Sequence, residues 1–382
     1  MAAPSSRRLL RAGIGVWLLA LAAVSVLVVR DPIQRSVTPV FHLAVERWAN
    51  HALYSDPRGF HYLPQFALLF APFHALPVPL GDLLWRAGSV AAVMAGIRSI
   101  ARRFAASAGE IDRIIGLALL LSLWPCLGAV RNGQTNLAFG GLLLLAVALL
   151  SAEKWTAAAA VLVLLVAVKP LGLVVVLLAP WGYPRVIAPL TAGLAALTAL
   201  PFFFAPPSWV LAQYRDAVAH LASWSGTSEP RFADLAALLR RLGVALAPEA
   251  ATILRLVAAA AVLLLWIAAA RRRVEPSRAL TLAILAATYL LLFNPMTEKN
   301  TYAIAAPALG IAAGWAFTES RRSALGWLLA AVLVSIGVFP EAFHRIDPGF
   351  GLWWDPLALS AVAVAVAAGI LRRRRPEAVG AA

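Results

Sequence analysis

The stretch VLVLLVAVKPLGLVVVLL (Val161 to Leu178) decides how the chain is read. Its length suits the hydrocarbon core of a bilayer, which takes about 20 mostly apolar residues per helical crossing. Lys169 and Pro170 interrupt it in the middle. A charge at that depth is costly, so the lysine either snorkels to the interface or pairs with an anion. Pro170 has no N–H to donate and frees the carbonyl of Val166, so the pair either kinks one helix or divides it in two. Such a break suits the wall of a cavity.

The rest of the chain has the same character. Of its 382 residues 62% are hydrophobic and only 13% charged. A soluble domain carries roughly 25% charged residues, so most of this surface must face lipid. Apolar runs suitable for crossing lie at about 12–29, 63–80, 83–100, 111–130, 134–150, 155–178, 186–204, 251–270, 279–294, 302–318, 324–340 and 356–371. The sequence therefore predicts an all-α polytopic membrane protein, a single domain of about twelve spans over residues 1–382.

The formal net charge of +15 comes from short clusters between apolar runs: Arg7, Arg8 and Arg11; Arg271 to Arg273; Arg321 and Arg322; Arg372 to Arg375. Clusters at the ends of apolar segments are topology signals. A nucleic-acid partner would need a contiguous basic face, so none is expected. The clusters put both termini in the cytoplasm of a multi-pass cell-membrane protein. In that topology the four arginines between Arg98 and Arg113 fall outside, against the rule. Cys126, the only cysteine, lies in an apolar run and excludes an intrachain disulfide.

Two long stretches between spans, about 30–62 and 205–250, fall on the outer face. VFHLAVERWANHALY (Val40 to Tyr54), WVLAQYRDAVAHLASW (Trp209 to Trp224) and FADLAALLRRLG (Phe232 to Gly243) carry apolar and aromatic residues at helical spacing. They read as interfacial helices lying on the membrane. Loops this long and this apolar point to a site on that face.

Four polar clusters could carry chemistry. YSDPRGFHYLPQFALLFAPF (Tyr54 to Phe73) holds Asp56, Arg58, His61, Tyr62 and Gln65; its bland role is a polar cap on a helix opening at Pro64. RNGQTN (Arg131 to Asn136) offers Arg131, Gln134 and Asn136, or simply a helix–helix turn. Lys169-Pro170 is the third. FNPMTEKNTY (Phe293 to Tyr302) joins Asn294, Glu298, Lys299 and Asn300, or is a solvated hairpin. No phosphate loop, dinucleotide glycine motif, CxxC pair or HExxH occurs, and the six histidines are scattered, so no metal site is expected.

At these residues the chain resembles glycosyltransferase family 87, within the GT-C superfamily. HYLPQFALLFAPFHALP (His61 to Pro77) is similar to the family's tyrosine-proline-proline stretch, and GQTNLAFGGLLLLA (Gly133 to Ala146) to its Gly-Gln-x-Asn helix start. VKPLGLVVVLL resembles its Lys-Pro helix, and FADLAALLRRLG its Leu-x-Arg stretch after a long outer loop. The resemblance implies a GT-C-like bundle and a hexosyltransferase dependent on a polyprenyl-phosphate sugar, mannose in particular. The sugar would pass with inversion to a lipid or glycan acceptor on the outer face. The partners would then be the lipid-phosphate donor, the glycolipid or glycan acceptor and membrane lipids. The family's early acid–aromatic stretch falls near Ser36 to Val40, where no carboxylate stands.

The base is therefore sought among Asp56, Glu298 and Asp31, in that order. Asp56 precedes Arg58, His61 and Tyr62; Glu298 has Lys299 and Asn300 beside it; Asp31 precedes Pro32 and could simply end a helix. Lys169, Arg58, Arg131 or Lys299 could stabilise a departing lipid phosphate. A phosphate leaves with its own charge, so no cofactor is expected and a divalent cation is not indicated. A transporter or flippase is the competing reading, but such folds commonly show internal repeats and this chain shows none.

Overall fold

The structure, a computed structural model, describes residues 4–56, 59–224, 231–319 and 322–372. Arg58, Arg321 and Arg373 to Arg375 lie outside the described residues. In chain order the α-helices are α1 (Pro4–Arg30), α2 (Thr38–Ala49), α3 (Pro64–His74), α4 (Val78–Phe104), α5 (Ala108–Asn132), α6 (Thr135–Ser151), α7 (Trp155–Val168) and α8 (Gly172–Gly182). They continue as α9 (Ile187–Ala199), α10 (Pro207–Trp224), α11 (Leu235–Arg241), α12 (Pro248–Arg272), α13 (Ser277–Phe293), α14 (Ala306–Ala316), α15 (Ser323–Ala342) and α16 (Phe350–Leu371). No strand occurs among the described residues. Seven segments there are long and apolar enough to cross a membrane, namely α1, α4, α5, residues 184–203 around α9, α12, α15 and α16. The shorter apolar helices α6, α7, α8, α13 and α14 run among them, as in a polytopic membrane protein.

Two of the expected spans are corrected. The run 63–80 is not a crossing. Its helix α3 ends at His74, before Pro77, and α4 starts at Val78, and α3 carries the buried aromatic residues Phe66 and Phe70 of a cluster separate from the main core. The run 155–178 is two helices, α7 and α8. Lys169, ahead of a proline, takes extended backbone (φ −158°, ψ 132°), as the ring of Pro170 demands, and the chain turns back on itself. Tyr183, just past α8, returns to Trp155 at the start of α7, with ring centroids 6.4 Å apart.

These two changes regroup the loops. Arg103 Nη2 donates to the carbonyl of Ser151 at 2.9 Å, and Phe104 packs on Trp315. Arg185 stands 3.8 Å from Glu153, Tyr183 OH donates to Glu275 at 2.7 Å, and Arg272 Nη1 donates to the carbonyl of Ile370 at 3.0 Å. The turns after α4, α6, α8, α12, α14 and α16 thus share one end of the bundle. The arginines from Arg98 to Arg113 join the other basic clusters there, instead of opposing them.

Burial sorts the helices by what they face. Helices α6, α13 and α14 are buried almost all round, whereas α1, residues 184–203 and α12 bury only 22%, 17% and 11% of their apolar windows. A helix apolar on every side belongs in a core or in lipid, and this fold uses both. Between lipid-soluble helices, association depends on close backbone approach. A Cβ on Gly96 of α4 would stand 2.3 Å from the carbonyl oxygen of Gly141 in α6, and one on Gly141 2.3 Å from the backbone of Ala92.

At the opposite end α2, α3, α10 and α11 form a cap. The apolar face of α2 is covered by protein rather than laid on lipid as expected: Phe41 and Trp48 are buried with Phe66, Phe70 and Trp85. A buried polar cluster fixes this cap to the bundle. Asp82 and Arg86 on α4 are each 1% exposed and stand 3.6 Å apart. Asp82 accepts from Thr38 at 2.6 Å and pairs with His42 Nε2 at 3.1 Å. With that nitrogen donating, His42 Nδ1 accepts from His74 Nδ1 at 3.0 Å. Arg86 donates to Ser36 and to the carbonyls of Val130 and Arg131. One ion pair thus ties α2, α3, α4 and the end of α5 together.

Breaking a buried pair leaves an uncompensated charge at a cost of about 3–5 kcal/mol. Asp82→Asn is expected to lose stability by that amount in detergent unfolding titrations, and the paired change Asp82→Asn with Arg86→Met is expected to lose less than Asp82→Asn alone. Equal stability of Asp82→Asn and the unaltered protein would contradict the role given to the pair.

Candidate functional site

Where the turns of α5–α6, α7–α8 and α13–α14 meet under the cap, they enclose a cleft of about 290 Å³. The α5–α6 turn is set by Gly133, at φ +65°, the left-handed position that commonly ends a helix with glycine. A side chain there would also collide with Thr38 and Arg86. Trp85 Nε1 donates to the Gly133 carbonyl at 2.8 Å. Gln134 and Asn136 emerge from this fixed turn, Lys169 from the α7–α8 turn, and Glu298 from the cap of the 3-10 turn Lys299–Ile304.

These four side chains form one hydrogen-bonded line. Lys169 Nζ donates to Asn136 Oδ1 at 2.6 Å. Asn136 Nδ2 donates to Gln134 Oε1 at 2.8 Å. Gln134 Nε2 donates to Glu298 Oε2 at 3.2 Å. The amides separate cation from carboxylate and give each a partner, as buried polar groups require. Glu298 is held in turn by its backbone N–H, which donates to Thr301 Oγ1 at 3.0 Å.

The opposite wall comes from the cap. Tyr62 lies 3.3 Å from Thr135 Oγ1 and stacks on Phe66, with Phe41 edge-on at 5.4 Å. Burial pushes the Tyr62 phenol up to about 12, so it is a proton donor at neutral pH. His61 stacks on His220 of α10, and His61 Nδ1 shares a 2.8 Å hydrogen bond with His220 Nε2. Burial, then the charges of His220, Arg231 and Lys169, pull His61 down to about 4 against the opposing charge of Asp56. Arg231, Asn294 and Met296 complete the lining.

The residues singled out from sequence thus divide. His61, Tyr62, Gln134, Asn136, Lys169, Asn294 and Glu298 line the cleft. Asp56 stands at its rim, 3.8 Å from Arg47 and next to the lining residue Gly59. Asp31 is exposed and accepts from the N–H groups of Ile33 and Gln34 at 3.2 and 3.0 Å, a turn just past α1. Gln65 is buried elsewhere, donating to the carbonyl of Leu197 and to Tyr214. Arg131, Lys299 and Asn300 line a separate groove of about 920 Å³ between α5 and α15 with Arg35 and Glu341. Arg58 lies outside the described residues.

Arg231, His220 and the Asp82–Arg86 pair also shape the site, outside the four polar clusters of the sequence. The pair had a signal, opposite charges four residues apart inside an apolar helix; Arg231 and His220 had none beyond lying in a long outer loop. Among the described residues no group of three His, Cys, Asp or Glu side chains stands together as a metal site.

The histidine pair makes a pH prediction. His61 titrates lower in the folded chain than the ordinary 6.5, so the unfolded chain binds more protons in that window and stability falls as pH falls from about 6.5 to 4. Replacing His61 with Gln is expected to flatten the fall in thermal midpoint across that range; an unchanged pH slope would contradict the burial assigned to it.

The family model of glycosyltransferase family 87 matches residues 60–295, a span holding the cleft residues from His61 to Asn294. No curated protein and no solved structure matches the chain. With well over half its length matched and a bundle of apolar helices enclosing a polar cleft, the chain belongs to glycosyltransferase family 87 and is a membrane glycosyltransferase.

Proposed function

We propose that the chain transfers a hexose, mannose in particular, from a polyprenyl phosphate to a hydroxyl of a lipid or glycan acceptor, with inversion. The observation that carries this reading is the line from Lys169 to Glu298, which places a cation and a carboxylate at two ends of one cleft. Glu298 takes the proton of the acceptor hydroxyl. The freed oxygen pair attacks the anomeric carbon from the face opposite the phosphate. The bond from that carbon to the phosphate oxygen breaks, and the lipid phosphate leaves with the electron pair beside Lys169 and Arg231. Gln134, Asn136 and Asn294 have the donors and acceptors to hold sugar hydroxyls, and Tyr62 offers a ring face.

Of the three carboxylates considered as base, Glu298 is the one lining the cleft. It therefore takes precedence over Asp56 at the rim and Asp31 in its exposed turn. The charge at stake also favours a shared hydrated cavity, since an unpaired charge in lipid costs several kcal/mol. No resident cofactor enters the reading. The roles of Arg131, Lys299 and Asn300 lie outside the cleft and would be confined to contacts with the remainder of a substrate.

Sidedness follows from the arginines. The basic end carries the loops after α4, α8, α12 and α14, and lysine and arginine accumulate on the cytoplasmic side. We therefore place both termini in the cytoplasm and the cleft on the outer face.

A positioned general base is worth typically 10²–10⁴ in rate. Glu298→Gln is expected to lower polyprenyl-phosphate-sugar-dependent transfer in membranes by that factor, while Asp31→Asn leaves it intact. Full transfer by Glu298→Gln at unchanged protein level would sink the assignment. Lys169→Gln is expected to raise the donor KM by roughly ten- to a hundred-fold, the range for a hydrogen bond to a charged group. For topology, reporter fusions at either terminus are expected to read cytoplasmic, and tags placed at about residue 245 to read external; a periplasmic terminus would overturn the orientation.

A further inference from the structure

The basic end holds a second cavity, of about 720 Å³, which the transfer chemistry does not use. Arginines from three helices converge on it: Arg272 and Arg273 at the end of α12, Arg322 just before α15 and Arg372 just after α16. Its apolar walls include Trp315 and Leu325. All four line one recess between helices, with Arg273 and Arg322 half-buried there and Arg272 and Arg372 more exposed.

Three of the guanidinium groups are held in place by the protein. Arg272 Nη1 donates to the carbonyl of Ile370 at 3.0 Å, and Arg273 Nη1 to Thr281 Oγ1 at 2.9 Å. Arg322 lies over the Trp315 ring at 4.3 Å and pairs with Glu319 at 2.9 Å. Among the described contacts Glu319 is the one carboxylate, set against four arginines that line the recess. Guanidinium groups suit phosphate oxygens through paired N–H donors. The surrounding surface is apolar as well: Val274 is 76% and Leu371 60% exposed, which fits acyl chains beside a headgroup. Basic pockets between membrane helices on the cytoplasmic side hold anionic headgroups.

We infer that this cavity binds the phosphodiester headgroup of an anionic phospholipid of the surrounding leaflet, bridging α12, α15 and α16 at the end of the bundle away from the cleft. The inference is independent of which sugar or acceptor the cleft takes. A ligand that binds the folded chain raises its stability by mass action. Cys126, buried and the only cysteine, gives a readout, because a thiol-reactive dye labels it only when the bundle opens.

The experiment melts the full-length protein in neutral detergent with dioctanoyl phosphatidylglycerol, dioctanoyl phosphatidylcholine or inorganic phosphate. Phosphatidylglycerol is expected to raise the midpoint by roughly 5 °C, a shift typical of binding well above the dissociation constant. The choline lipid and inorganic phosphate are expected to give little. The double change Arg272→Gln with Arg322→Gln is expected to abolish the shift, whereas Arg98→Gln, at the same end but outside the cavity, keeps it. If the double variant does not fold, Leu325→Trp, which fills the recess without touching a charge, is expected to abolish the shift instead. An equal shift with phosphatidylcholine or with inorganic phosphate, or a phosphatidylglycerol shift that survives in Leu325→Trp, would overturn the inference.

Discussion

Lys169 has apolar helices before and after it, and a charge so placed needs partners that do not come from lipid. The need is met by bringing three turns to one point. Asn136 supplies the oxygen next to the ammonium, Gln134 relays the dipole, and Glu298 supplies the opposite charge. The hairpin of α7 and α8 follows from the same pair of residues, since Pro170 forces Lys169 out of helical backbone. Charge, turn and cleft are consequences of one dipeptide.

A cleft of this kind works only if its walls hold their positions. The Asp82–Arg86 pair does this from behind. It ties the carbonyls of Val130 and Arg131 and the start of α2 to α4, and leaves Gly133 so little room that no side chain fits. Gln134 and Asn136 are therefore presented from a turn that cannot shift without breaking a buried ion pair. The aromatic cluster of Phe41, Phe66, Phe70 and Trp85 fills the space between that pair and the cap. The cap thus packs on the protein, and its apolar face serves as the roof of the cleft instead of a membrane anchor.

Much of this was legible in the sequence because hydrophobic length is a strong signal and polar residues in apolar runs stand out. The membrane bundle, the four polar clusters and the break at Lys169-Pro170 were all visible as patterns. Both spans turn on one limit: apolar length does not say where a chain reverses. The run at 63–80 is apolar because α3 packs within the cap, and the run at 155–178 is apolar because both arms of the α7–α8 hairpin pack in the bundle core. The misplaced arginines at Arg98 to Arg113 were the warning, and correcting the spans removes it. Which clusters face each other was not legible. Glu298 and Lys299 are neighbours in sequence but open on opposite sides of a 3-10 turn, and a pattern of residue types carries no information about that rotation.

Donor phosphate and base are proposed to share the cleft of Lys169 and Glu298. The most direct test is an experimental structure of the protein in lipid nanodiscs with a non-cleavable polyprenyl-phosphonate mannose analogue. The account predicts the phosphonate within hydrogen-bond reach of Lys169 Nζ, the sugar against Gln134 and Asn136, and open space between the anomeric carbon and Glu298. A headgroup seated instead in the groove of Arg131 and Lys299, with the cleft empty, would contradict it.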